Sequence, residues 1–325
     1  MKEATFIRRN IDRWKQQEGL VEQADSRNAD ELADAYTELT ADLAFAQSHY
    51  PKSRITLYLN NLASALHVSI YGHKRERRGR VIDYWLREVP LVMWEARKLL
   101  LASFLIFAVS VLIGVISTLG DESFPRLILG DGYIDMTLDN IERGDPMGVY
   151  KSENSLLMFL AIVFNNVQVA FLCFASGLFS SLGSGFILFR NGVMVGAFQT
   201  FFFQHDLLLE SSLAIWLHGT LEMMSVVVAG AAGLCLGNGL LFPGCRRRID
   251  AFRIGARRGM KIVIGTVPLF IFAGFIEGFV TRYTGLPNVF RAGFIVMSLA
   301  FGLWYFVWLP WRRAHEQDEQ TNELV

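Results

Sequence analysis

The chain has 325 residues, of which 52% are hydrophobic and only 19% charged, with a mean hydropathy of +0.31. Soluble domains carry about 25% charged residues, so this composition sets aside a wholly soluble protein. Its 31 basic and 31 acidic residues cancel, which gives no support for a nucleic-acid partner and leaves the lipid bilayer as the first expected partner.

Residues 1–94 read as a cytoplasmic helical domain. Met1 to Gln17 is charged and offers no apolar run ahead of a cleavage site, so no cleavable signal is expected and the first span is expected to act as signal anchor. Leu32, Ala35, Tyr36, Leu39, Leu43 and Ala46 recur at the three and four spacing of one helix face, with Asp30 as N-cap and Pro51 as stop. A second helix from near Ser53 carries Ile55, Leu59, Leu62, Leu66 and Ile70 on one stripe. Gly72 to Gly79 interrupts the pattern. The stretch 80–94, with Val81, Tyr84, Trp85, Val89 and Trp94, resumes as an amphipathic helix suited to the membrane interface. Two or three helices make only a small core, so packing onto the membrane domain or a second protomer is expected.

From residue 95 to 313 the chain reads as a six-span transmembrane domain. Apolar stretches of about 20 residues, the length that crosses a roughly 30 Å hydrocarbon core, fall at 99–119, 155–177, 183–203, 212–236, 261–281 and 292–310, the third being the weakest. The fold class is therefore all-α, a polytopic membrane helix bundle. Basic runs precede span one (Lys74 to Lys98), separate spans four and five (Arg246 to Lys261) and follow span six (Arg312, Arg313). All lie on one side of a six-span chain, which places both termini in the cytoplasm.

Segment 120–154 falls on the other face and is acidic overall. Its apolar residues, among them Phe124, Leu127, Tyr133, Ile134 and Leu138, predict one or two surface-lying helices bounded by glycines and a partner surface. Residues 314–325, rich in Glu and Gln, are expected to be a disordered cytoplasmic tail. Cys173, Cys235 and Cys245 show no metal or disulfide spacing and read as small apolar residues. Gly192 with Gly196, and Gly233 with Gly237, are small-residue pairs suited to close helix packing.

Polar groups inside the apolar runs carry the functional signal. Asn165 and Asn166, Arg190 and Asn191, His218 and Glu222, and Glu277 sit where lipid would otherwise be. A carboxylate at a bilayer centre costs about 2.5 to 3.5 kcal/mol even on the lenient insertion scale, so these groups are expected to face one another. At about 1.5 Å per residue, Asn165, Asn166, Asn191, His218, Glu222 and Glu277 all fall roughly 7 to 19 Å from the outer ends of their spans, and His218 and Glu222 share one helix face.

Three uses of such a cluster stand open. One is hydrogen-bonded glue in a dry interior. Another is a polar pathway for a proton, ion or small substrate. The last is a zinc site, with His218, Glu222 and Glu277 as three ligands and an open position for water, although the H-E-x-x-H arrangement is missing. No catalytic nucleophile stands out and no cofactor is otherwise expected.

Taken together, Asn165-Asn166, the Gly177 to Gly185 turn, Asn191-Gly192, His218-Gly219 with Glu222, and the Glu277 of Phe275-Ile276-Glu277-Gly278-Phe279 resemble the stage II sporulation protein M family of bacterial integral membrane proteins. Segment 31–71, with Asp42-Leu43-Ala44 and Leu59-Asn60-Asn61-Leu62, is similar to the cytoplasmic region of longer members. Arg190, before the Asn-Gly pair, is not among the residues that carry the resemblance. The resemblance implies a bacterial inner-membrane scaffold that holds peptidoglycan-remodelling enzymes without hydrolysing the wall itself. Longer relatives occur in bacteria that do not sporulate, often beside genes for an AAA-type ATPase and a von Willebrand-type domain protein. The expectation is a non-enzymatic scaffold for cell-envelope partners, homodimeric through its small-residue faces or its cytoplasmic domain. A transporter or channel is the alternative, and an intramembrane metal-dependent hydrolase stands behind both.

Overall fold

The computed structural model describes residues 2–22, 29–71, 79–146, 148, 155–281 and 286–322, all in helices, turns and short connections. The side chain of Asp30, the basic run at 74–78 and residues 151–154 lie outside them. Two compact units emerge, Met1–Arg80 and Val81–Val325.

Among the described residues the first unit holds three helices, α1 (Glu3–Glu22), α2 (Ala29–His49) and α3 (Arg54–Tyr71). Helix α2 stops just before Pro51, whose ring disfavours helical geometry in the residue preceding it. The anticipated stripes of α2 and α3 meet, with Leu39, Leu59 and Leu66 fully buried. Helix α1 was not foreseen. It contributes Phe6 and a fully buried Trp14, whose rings pack edge to face at 5.3 Å. The indole nitrogen of Trp14 donates to Asp42 Oδ2 at 2.8 Å, and Arg13 reaches the same oxygen.

The second unit starts with α4 (Arg80–Asp83), a wide π turn at Tyr84–Glu88 and α5 (Val89–Glu95). The domain boundary expected at residue 94 falls at Arg80 instead, because Val89 and Met93 are fully buried in the core of this unit. Polar clamps fix the segment there. Tyr84 donates to the Lys261 carbonyl at 3.0 Å, Tyr305 to the Trp85 carbonyl at 3.1 Å, and Lys261 pairs with Glu88 at 2.7 Å.

Six helices among the described residues are long and apolar enough to cross a membrane. They comprise α6 (Arg97–Gly120), α9 (Ser155–Ala175), α10 (Leu182–Gln204), α11 (Leu208–Leu241), α12 (Arg248–Phe275) and α13 (Asn288–Leu303). Between the first two lie α7 (Phe124–Leu129) and α8 (Asp131–Glu142), the short helices expected in that segment. Helix α12 runs on through a π turn to Val280, and α13 through another to α14 (Leu309–Asn322). The tail expected to be disordered from Ala314 is thus helical to Asn322. Ion pairs of Glu316 with Arg312 and Arg313, each 2.8 Å, bind successive turns there.

Helix α11 is the hub, 34 residues long and mostly buried. At about 1.5 Å per residue it exceeds a 30 Å core, and α12 likewise begins at Arg248, not near 261. Charged residues there lower hydropathy without opposing helix, since Arg favours helix and its long stem lets the charge reach water. Small residues set the spacing of the bundle. A Cβ at Gly196 would stand 2.2 Å from the Val111 carbonyl on α6, and one at Gly233 would stand 2.1 Å from Ser184 Oγ. Gly192 and Gly237 meet α6 and Ser181 in the same way. Such approach admits hydrogen bonds between neighbours, Ser184 to the Cys173 carbonyl at 2.7 Å and Ser103 to the Val227 carbonyl at 2.6 Å.

Candidate metal centre

Helix geometry places His218 and Glu222 one turn apart on α11, on the face that meets α9 and the end of α12. Glu277 arrives from the π turn Ile276–Val280, where the extra residue per turn re-aims side chains; such insertions are frequent at functional sites. The three side chains converge. One ligand atom from each lies within 4.8 Å of the others, and His218 Nε2 stands 3.6 Å from Glu277 Oε2. His218 and Glu222 are 4% and 6% exposed, and the side chain of Glu277 is 15% exposed.

Two neighbours orient the ligands. Asn166 on α9 donates from Nδ2 to Glu222 Oε1 at 2.5 Å. Thr281, one turn beyond Glu277, lies 3.3 Å from His218 Nδ1 and sends its own proton to the Ile276 carbonyl at 3.3 Å. The threonine oxygen is then placed to accept from Nδ1–H, which sets Nε2 on the side of the carboxylates. Three potential ligand atoms therefore share one small volume. A tetrahedral zinc with bonds of about 2.0 to 2.1 Å separates its ligand atoms by about 3.3 Å, close to the His218–Glu277 distance. An imidazole fixed through its second nitrogen and a carboxylate held by an amide are the outer supports such a site needs.

A cavity of about 370 Å³ opens onto the centre. His218 and Glu222 line it, α10 and α11 wall it with Phe198, Gln199 and Trp216, and Ile128, Leu129 and Tyr133 cover it from α7 and α8. The amide nitrogen of Gln199 is buried there with no partner among the described residues, and its oxygen accepts from Ser212 at 3.4 Å. Such a group can donate to a water or other molecule in the cavity. Burial pushes the Tyr133 phenol up to about 12, so it stays neutral and able to donate across physiological pH.

Two residues expected in the polar cluster are not in it. Asn165 is exposed on α9, because consecutive helical residues point about 100° apart and Asn166 takes the inward direction. Asn191 donates back to the Ile187 carbonyl of its own helix at 2.8 Å. Arg190 is exposed on α10. Thr281 and Gln199 escaped sequence reasoning. Each carries a weak signal, Thr281 by standing four residues after Glu277 and Gln199 as a polar residue within the apolar third span.

A helical bundle of six apolar segments around a buried polar centre defines a polytopic membrane protein. The family model described as Stage II sporulation protein M matches residues 103–282, more than half of the chain, and the chain belongs to that family. A second family model, a domain of unknown function (DUF8413), matches residues 4–72 within the first helical unit. No curated protein and no solved structure matches the chain.

Proposed function

We propose that this membrane protein binds a divalent cation of the zinc class at His218, Glu222 and Glu277, leaving a further coordination position that faces the cavity. The single observation that carries the reading is the convergence of three acceptor groups within 4.8 Å in a buried setting. Unneutralised carboxylates so placed repel each other and lack solvation, and a bound cation removes both penalties. The alternative of dry structural glue sits poorly with a cavity that reaches two of the three groups. Three protein ligands with one open position is the arrangement in which zinc acts on water or on a polar substrate group.

Elemental analysis of full-length protein purified in mild detergent from zinc-supplemented cells tests this. One zinc per chain is expected, with less than a tenth of that in His218→Ala. Wild-type protein that folds yet carries no metal above the variant's background refutes the proposal.

A second reading, an anchor for cell-envelope proteins in the bacterial inner membrane, is favoured by the separate three-helix unit with its own core at Met1–Arg80. Deletion of residues 1–71 should then release co-purifying peptidoglycan-remodelling partners while leaving bound zinc unchanged. Partners retained after deletion count against it.

A further inference from the structure

Between α6, α11 and α13 runs a second cavity, about 680 Å³ and larger than the one at the polar centre. Its walls are almost wholly apolar, formed by Leu100 and Phe104 of α6, Met224 and Val228 of α11, and Leu299 and Leu303 of α13. Phe104, Leu299 and Leu303 stay exposed along it. Packed proteins leave few voids larger than a water, so a groove of this size in an apolar band is a place for another molecule.

One end of the groove differs in chemistry. Trp94 and Arg97 line it, with the Arg97 guanidinium 4.6 Å above the Trp94 ring and donating to the Trp94 carbonyl at 2.9 Å. Nearby cations on other elements are neutralised, Arg258 by Glu95, Lys261 by Glu88 and Arg313 by Glu316. Arg97 and Lys98 have no carboxylate partner among the described residues. A long apolar slot that ends on uncompensated positive charge matches an amphiphile with a hydrocarbon chain and an anionic head. Trp216 and Met223 form a ridge on α11 that lines both cavities, so the groove and the polar centre are neighbours without sharing their ligands.

We propose that this groove holds an acyl chain of an anionic phospholipid, with the lipid phosphate at Arg97. The site stands independently of the metal centre. Its test is reconstitution of the full-length protein in vesicles of equal phosphatidylglycerol and phosphatidylethanolamine, followed by mild extraction and native mass spectrometry of retained lipid. Wild-type protein should retain the glycerol lipid over the ethanolamine lipid by about fivefold, the contribution of one basic group at an anionic surface. Arg97→Gln should erase that preference and Arg97→Lys should keep it. Val307→Trp and Leu299→Trp fill the groove from exposed positions and should lower retention of both lipids. Retained lipid that mirrors the vesicle mixture overturns the proposal. So does a lipid-free dimer that buries the groove between two copies, or retention unchanged by both tryptophan variants in chains that remain monodisperse.

Discussion

The two ends of α11 solve the same packing problem in opposite ways. Toward Gly237, Gly233 and Gly237 bring neighbouring backbones so close that no side chain fits between them, Gly230 makes room for the Leu188 and Ser103 side chains, and short serine-to-carbonyl bonds join the helices. Toward Leu208, the helix spends its inward positions on His218 and Glu222, which fill space less well and carry a desolvation cost. Ionisable groups at the second end do not serve close packing, and their convergence with Glu277 supports the proposed cation site.

The largest expected effect comes from the seam. Gly233→Leu forces atoms against Ser184 Oγ and the Cys173 carbonyl, where even a Cβ would stand 2.1 and 2.4 Å away. Overpacking of this kind costs about 3 kcal/mol or more, so yield and detergent-unfolding midpoint should collapse. Next is metal removal. Chelator should destabilise the wild-type protein by about 2.7 kcal/mol if the metal was present at a hundred times its dissociation constant, measured by unfolding with and without chelator. Glu277→Gln should abolish that chelator response while shifting the chelator-treated midpoint by less than about 1 kcal/mol. A large loss of stability in that variant without metal would mean that the two ends of α11 do the same job.

Smaller effects sharpen the contrast. Asn166→Ala removes the amide that holds Glu222 and should weaken zinc about 10- to 100-fold in a chelator competition. Thr281→Val, which frees the His218 ring, should weaken it nearer the lower end of that range. Asn165→Ala, one residue from Asn166 but exposed, should change neither metal affinity nor stability.

Much of this architecture was legible in the residues. Hydropathy located all six spans, including the weak third, because length and apolarity are local properties. It placed the starts of α11 and α12 too far along the chain, since flanking charged residues depress hydropathy while the helix continues through them. Helix α1 was hidden for a related reason. Its buried residues Phe6, Trp14 and Leu20 are sparse among charges, and their meaning depends on α2 and α3 covering them. At the centre, the i, i+4 pairing of His218 with Glu222 could be read directly. What could not be read was the direction of single residues on other helices, so Asn165 and Asn191 were expected where only Asn166 arrives. The π turn that aims Glu277, and with it the role of Thr281, depends on a break in helical register that periodicity assumes away.

Zinc-edge X-ray absorption on the full-length protein, purified with its metal, addresses the account most directly. One histidine nitrogen with carboxylate and water oxygens at about 2.0 to 2.2 Å, the nitrogen contribution vanishing in His218→Ala, is the predicted spectrum. Sulfur ligation at about 2.3 Å, or a spectrum unchanged by that substitution, would contradict it.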